Sequence, residues 1–341
     1  MSRGVRLGAL VALAFGAVAL AAGFLVGGGG RALGAVAASW LCCTGLASGA
    51  VAVSAAIRLA RGRWAGEVLP LAEAGAAFLA PALALLIALL AASRLWMPEG
   101  ANAGIALAAR DVLAGAALLF AARRYLLASR KGGPVARAAV AYLLVYVVTL
   151  SLWMVDLVVG LAPWAPSTVL PPFYFMGAFL GGLAWSALLA ASRGERIRSD
   201  TRYDLGRLLF AFSIFWAYLL WAAYLPTWYG NLPDETGQLL ARWHGGWRGP
   251  SSFAIVAVFG LPFFFLFPEN NKRRPARLAF GAASIIAGLF VTHLLMILPS
   301  LAPALDRRTL LAAAAAALVP GVFVLVTVRA AHARLPGDAP V

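Results

Sequence analysis

Apolar residues run through this chain in long stretches, separated by short polar loops, and the lengths of those stretches are the first thing to measure. A helix rising about 1.5 Å per residue needs about 20 mostly apolar residues to cross a hydrocarbon core. Ten stretches qualify: 5–27, 34–57, 66–93, 103–122, 137–161, 168–192, 205–226, 251–267, 277–298 and 309–329. The pattern predicts an all-α integral membrane protein, a bundle of about ten transmembrane helices forming one polytopic domain over 1–341. The first stretch follows Arg3 and Arg6, as a signal peptide would. It exceeds the roughly 7–15-residue apolar region of a signal, so a retained anchor is expected. The longest loop, roughly 227–250, leaves no room for a soluble domain, and no low-complexity linker or internal repeat is evident.

Composition agrees. The chain is 62% hydrophobic and 12% charged, where soluble domains carry about 25% charged residues. A net charge of +15 would by itself suggest nucleic acid. The basic residues, however, sit in short clusters between apolar stretches, the positive-inside pattern of a membrane protein, and nucleic acid is not expected as a partner. Alternate loops and span edges carry 21 Lys and Arg on one side against 6 on the other, with Arg110 inside the fourth span. That asymmetry predicts both termini in the cytoplasm. It also puts the 227–250 loop on the outer face, with Trp228, Tyr229, Trp243 and Trp247 at headgroup level.

Cys42 and Cys43 are adjacent in an apolar run. They cannot form a disulfide framework, a four-cysteine metal site or an iron–sulfur ligand set, and they read as small packing residues. No CxxCH occurs, and His293 is the one intramembrane histidine, so neither a covalent haem nor a doubly ligated b haem is expected. No metal site is predicted.

Ionisable groups within spans are costly, so each is a candidate for function. Asp156 lies five residues from the outer end of the fifth span, and His293 five from the outer end of the ninth. Arg110 and Asp111 come seven and eight residues after the outer start of the fourth. All lie roughly 8–12 Å below the outer surface by helix rise. Glu73, with Glu67 nearer water, lies in the inner third of the third span. The sharp reading is one wet outer pocket of Arg110, Asp111, Asp156 and His293 handling protons or a polar head, with Glu73 serving a cytoplasmic half-channel. The plain alternatives are interhelical pairing of Arg110, Asp111 and Asp156, and a packed or interfacial His293. In the seventh span, Phe215, Tyr218 and Trp221 recur at three-residue spacing with Tyr224 following, a stripe that either stacks a quinone ring or fills gaps between helices.

The stretch "DLGRLLFAFSIFWAYLLWAAYLPTWYGNLPDET", Asp204 to Thr236, resembles the integral-membrane ActF-type subunit of alternative complex III, the bacterial quinol:cytochrome c oxidoreductase. The family pattern opens D-L-G-K, continues through an aromatic helix and ends W-Y-x-N-I-P-E-E-T. Here those positions are Asp204, Leu205, Gly206 and Arg207, then Trp228, Tyr229, Asn231, Pro233, Asp234, Glu235 and Thr236. A second segment, "VVTLSLWMVDLVVGLAPWAPSTVLPPFYFMGAFLGGLA", sets Asp156 on the family's aspartate, Pro163 near its proline and Ser167–Thr168 on its S-T. A third, "PFFFLFPENNKRRPARLA", is similar to the family's proline-led stretch with a basic end. Together they span about 140–300. The family is related to the NrfD/PsrC-like proteins.

The resemblance implies a bacterial inner-membrane subunit of a respiratory electron-transport complex, with proton translocation or a structural role and no redox centre of its own. Quinone or quinol is the ligand it offers. The partners it implies are an ActC-like sister subunit, an iron–sulfur subunit and a multihaem cytochrome c. In that setting Trp228, Tyr229, Asn231, Asp234 and Glu235 form a partner-docking loop. Two departures stand out. "GLFVTH", Gly288 to His293, lacks the family's G-H-W-x-D, and "ASRLWMPEG" lacks a histidine. A secondary transporter and a purely structural anchor are the alternatives; neither an inverted repeat nor a broken helix is evident, although Pro171–Pro172 and Pro262 could kink spans.

Overall fold

The computed structural model describes residues 3–98, 104–131, 135–161, 168–231, 236–237 and 240–334. It is 88% helical, with no strand among the described residues. Ten helices are long and apolar enough to span a bilayer: α1 (Arg3–Leu25), α2 (Gly29–Leu59), α3 (Leu69–Ala91), α4 (Ile105–Arg130), α5 (Val135–Leu161), α6 (Leu170–Ser192), α7 (Ser199–Gly230), α8 (Arg248–Phe265), α9 (Pro275–Leu301) and α10 (Arg307–Ala333). Each corresponds to one predicted stretch.

Two helices outrun their apolar stretches because tertiary contacts keep a polar turn helical. α4 continues past Arg123 and Arg124 with Tyr125 fully buried and Ser129 bonded to Glu73 at 2.9 Å. α7 starts at Ser199, with Thr201 bonded to the Trp64 carbonyl at 3.3 Å and buried Arg202 to the Arg273 carbonyl at 2.7 Å. Pro171 and Pro172 do not kink a span. They sit in the first turn of α6, where a missing N–H costs nothing. Pro262 does mark an irregularity, because it follows a π turn at Val256–Gly260 in α8. The Ala257 carbonyl of that turn accepts a bond from Ser284 at 2.7 Å, so the loosened backbone is satisfied inside the bundle. α3 and α10 also contain 3-10 turns, at Ala74–Phe78 and Ala315–Ala317.

α2 is the centre of the bundle. It packs against α1, α3, α5, α6, α9 and α10 and is buried on nearly every face. Its sequence explains why: Ala, Gly, Ser and Cys dominate, and such small residues let helix backbones approach closely in a membrane. At the crossing with α6, a Cβ on Gly49 would lie 1.9 Å from the Ala178 carbonyl oxygen, and one on Gly182 would lie 2.0 Å from the Ala50 nitrogen. Only glycine fits at either position. Cys42 and Cys43 are buried in this same helix, as packers.

Hydrogen bonds sort the loops into two ends. At one end Glu73 gathers Arg58, Ser129 and Arg334, the Arg198 N–H donates to Glu67 at 2.9 Å, and Arg273 pairs with Asp200 at 2.7 Å. At the other, Arg31 pairs with Asp306 at 3.3 Å, the Leu305 N–H donates to the Gly245 carbonyl at 2.7 Å, and Trp247 donates to the Ala302 carbonyl at 3.2 Å. Arginine-rich loops therefore share one end, as the charge alternation requires. α1 lies antiparallel to α10, with Gly16 against Leu318 and Gly321 against Ala9 and Leu13. Trp247 is not a headgroup aromatic: it is buried in a small core with Ala35, Leu295, Leu298 and Ala316, because the Ala302 carbonyl takes its indole proton. Trp228 and Tyr229 stay exposed.

Candidate functional site

Three of the predicted polar positions meet at the α4–α5 interface. Asp111 has no exposed surface, and neither of its carboxylate oxygens has a hydrogen-bond donor. Beside it on α5 is a second carboxyl, Asp156, which Arg110 engages in an ion pair. The Asp156 side chain is 7% exposed and that of Arg110 43%, so the guanidinium closes the group on its surface side. Neighbouring polar contacts fix the two helices: Trp153 donates to the Asp111 carbonyl and Thr149 to the Ala114 carbonyl, each at 3.2 Å. Trp40 of α2 meets Trp153 edge to face at 4.9 Å behind them. Two carboxyls thus lie side by side in an interhelical seam, with one guanidinium paired to Asp156. Charges in such a place interact strongly, so adding or removing one proton changes the local field markedly.

His293 does not join this group. α9 packs on α2, α6, α7 and α8, whereas the acids lie between α4 and α5. The single outer pocket expected from depth alone is therefore two separate places, because equal depth does not make helices neighbours. His293 is 3% exposed, with Nδ1 2.7 Å from the Leu289 carbonyl and Nε2 without a partner. The carbonyl fixes the proton on Nδ1 and leaves Nε2 as a buried acceptor. The ring of Tyr174 meets it edge-on at 5.5 Å.

Glu73 forms the third place, at the arginine-rich end. It is the last residue before the 3-10 turn of α3, and its side chain is 7% exposed. One oxygen accepts from Ser54 at 3.2 Å, Arg58 at 3.0 Å and Ser129 at 2.9 Å, and the other faces Arg334 at 3.5 Å. Ser54 also meets the Tyr125 hydroxyl at 2.8 Å. Glu73 therefore ties α2, α3, α4 and the end of α10 together, with three donors on one oxygen and an ion-pair contact on the other. Glu67 is half-buried and holds the Arg198 N–H.

Sequence reasoning did not pick out the tyrosines. Tyr125, Tyr142 and Tyr146 are buried and stack in a column with ring centroids 6.1 and 6.2 Å apart, leading from the Glu73 group into the bundle. Tyr142 donates to the Ser48 carbonyl at 2.7 Å, Tyr146 to that of Phe175, and Tyr174 to that of Leu41 at 3.0 Å. The signal was available: Tyr142 and Tyr146 share one face of α5 at four-residue spacing, and a buried phenol must find an acceptor. With their protons given to helix carbonyls, these rings pin helices together.

The stripe on α7 is exposed rather than packed in the bundle. Phe215, Tyr218 and Trp221 are 38%, 61% and 53% exposed, and Tyr224 is half-buried. Phe215 stacks on Tyr218 at 6.0 Å and Tyr224 on Trp228 at 6.3 Å, so the row runs along α7 to its end. There Asn231 takes the left-handed conformation that ends the helix, φ 45°. Asp234 and Glu235 of the expected docking loop lie outside the described residues. Among the described residues no group of three His, Cys, Asp or Glu could hold a metal ion. In comparisons with known proteins, no family model matches the chain, and no curated protein matches it either.

Proposed function

We propose that this chain is a membrane subunit of a bacterial respiratory quinol:cytochrome c oxidoreductase of the alternative complex III kind. It supports quinol oxidation by handling protons and by docking periplasmic redox subunits. The complex is suggested by the resemblance of Asp204–Thr236 and of the segment around Asp156. The observation that carries the proton role is the seam of Arg110, Asp111 and Asp156: two adjacent carboxyls, one without any donor, against one guanidinium. That trio is neutral with one proton on it and carries one negative charge without it. We assign Asp111 to hold the proton, Asp156 to pass it, and partly exposed Arg110 to hold the Asp156 carboxylate in place. Electrons from quinol would leave through iron–sulfur and multihaem c partners, since three histidines and two buried cysteines give this chain few ligands of its own. The exposed row Phe215, Tyr218, Trp221 and Tyr224 suits a sister subunit of the ActC kind or a quinone ring arriving from the bilayer. Trp228, Tyr229 and Asn231 continue it at the outer end. The arginine-rich end is taken as cytoplasmic, in the inner membrane.

The test uses the purified complex with Asp111→Asn, Asp156→Asn and Glu73→Gln. Quinol turnover and proton uptake should fall about 100-fold or more for the two aspartates, the size of a lost acid–base group, with a smaller loss for Glu73. Wild-type rates in all three variants would leave only an anchor. Purification of the chain without co-eluting haem c would remove the complex assignment. A secondary transporter would then be the better reading, favoured by the irregular turns in α3, α8 and α10.

A further inference from the structure

At the arginine-rich end, away from the acid seam, α7 and the short helix Glu269–Arg273 enclose a cleft of about 510 Å³, within the roughly 300–1,000 Å³ range of ligand pockets. Trp64, Tyr203, Phe210 and Phe267 supply aromatic walls, and Asp204, Arg207 and Lys272 supply charge. The cleft is built around one buried cation. Lys272 is 7% exposed, and its stem lies directly across Gly206, where a Cβ would come within 2.6 Å of Lys272 Cγ. Its ammonium donates to the Leu266 and Phe267 carbonyls at 2.8 and 2.9 Å and faces the rings of Tyr203 and Phe210 at 5.6 and 5.8 Å. The nearest acid on its own helix, Glu269, is taken by Arg273 at 2.8 Å. Asp204 stands 3.9 Å from Arg207, itself 64% exposed, so one positive charge remains over. Burial lowers the Lys272 pKa; Glu269 partly offsets this and Arg207 adds to the lowering, as expected of an under-compensated cation.

The surroundings say what would compensate it. Phe267 in the lining is 71% exposed, and Phe264, 77% exposed, packs on Phe263, which stacks on the lining residue Phe210, so a greasy surface adjoins the charged residues. Such a site, apolar toward the bilayer and cationic toward the basic loops, matches an amphiphile with an anionic head at the membrane boundary. We propose that this cleft binds an anionic phospholipid, with its phosphate on Lys272 and Arg207 and its acyl chain along Phe210, Phe264 and Phe267. Asp204 opposes the anion and selects for a head of single rather than higher negative charge. Gly206 serves the site by letting Lys272 lie flat.

The test is native mass spectrometry of the delipidated full-length chain titrated with phosphatidylglycerol or phosphatidylcholine in detergent. Phosphatidylglycerol should be retained several-fold better. Arg207→Gln should lower its retention about fivefold, the worth of one cation near a membrane surface. Ala211→Phe should block the cleft without changing charge and lower retention comparably. Thermal midpoints should stay unchanged, since both residues are exposed. Arg277→Gln, a basic-end control outside the lining, should have no effect. Equal retention of the two lipids, an equal loss in Arg277→Gln, or an unaffected Ala211→Phe would each overturn the proposal. Displacement by millimolar inorganic phosphate would assign the cleft to a free anion instead and overturn the lipid reading.

Discussion

Asp306 shows how much one side chain can organise at a helix start. It caps α10 by accepting from the Thr309 N–H at 2.7 Å and the Thr309 hydroxyl at 2.8 Å, and it reaches Arg31 at 3.3 Å. The Thr309 N–H, then its hydroxyl, hold the Asp306 carboxyl below its ordinary value of 3.8, and Arg31 adds to the lowering. A carboxyl lowered in the folded state contributes stability above its unfolded pKa, and that contribution is lost as pH falls through the folded value. Thermal melts followed by tryptophan fluorescence should therefore drop as pH falls below 3.8, and Asp306→Asn should flatten that drop. An identical pH response in the variant would remove Asp306 from the cause. Nothing in the apolar pattern singles this position out, since an aspartate in a loop before Thr309 caps or merely solvates. The sequence marked Asp111, Asp156 and Arg110 better, because a charge inside an apolar stretch needs a partner. It could not separate His293 from them, because depth along a helix is readable from residue counts and neighbourhood across helices is not.

Between helices, the close crossing of α2 and α6 is the most exacting contact in the bundle. Gly49→Leu would drive its Cβ into the Ala178 carbonyl and should cost about 3 kcal/mol, the upper end for overpacking, since backbone on both sides leaves little room to relax. The readout is the yield of monodisperse protein on size exclusion, which should collapse for Gly49→Leu and hold for Gly8→Ala, where nothing lies within 4 Å. Equal yields would show that the crossing yields more than its geometry suggests. Run length alone sufficed to find every one of the ten helices. Which of them is central was also written in the chain, as the unusual share of Ala, Gly, Ser and Cys in α2, although length and hydropathy do not register it. The extended ends of α4 and α7 escaped because polar turns there stay helical through contacts that no local pattern encodes.

For the protein as assembled, the two sets of loops define two faces, and the positive-inside rule predicts that the arginine-rich one is cytoplasmic. Gly66 and Gly230 are exposed with open space around them, at the arginine-rich and opposite ends. The native Cys42 and Cys43 are buried and give little labelling background. In intact cells an impermeant maleimide should label Gly230→Cys and leave Gly66→Cys unlabelled until the membrane is opened. The reverse result would invert the orientation and put the Asp111–Asp156 seam near the cytoplasm.

The burial of α2 also has a consequence in time. α5, α6, α9 and α10, which enclose it, all follow it in the chain and are synthesised after it. Until they arrive, its hydroxyls must face lipid. Ser39 and Ser48 already bond to carbonyls of their own helix, at 3.0 and 2.7 Å, so they need no partner from outside. Ser54 differs, since it bonds to Glu73 and Tyr125 on helices that follow, so α2 can wait in the bilayer with Ser39 and Ser48 satisfied while Ser54 gains its partners only when α3 and α4 pack against it.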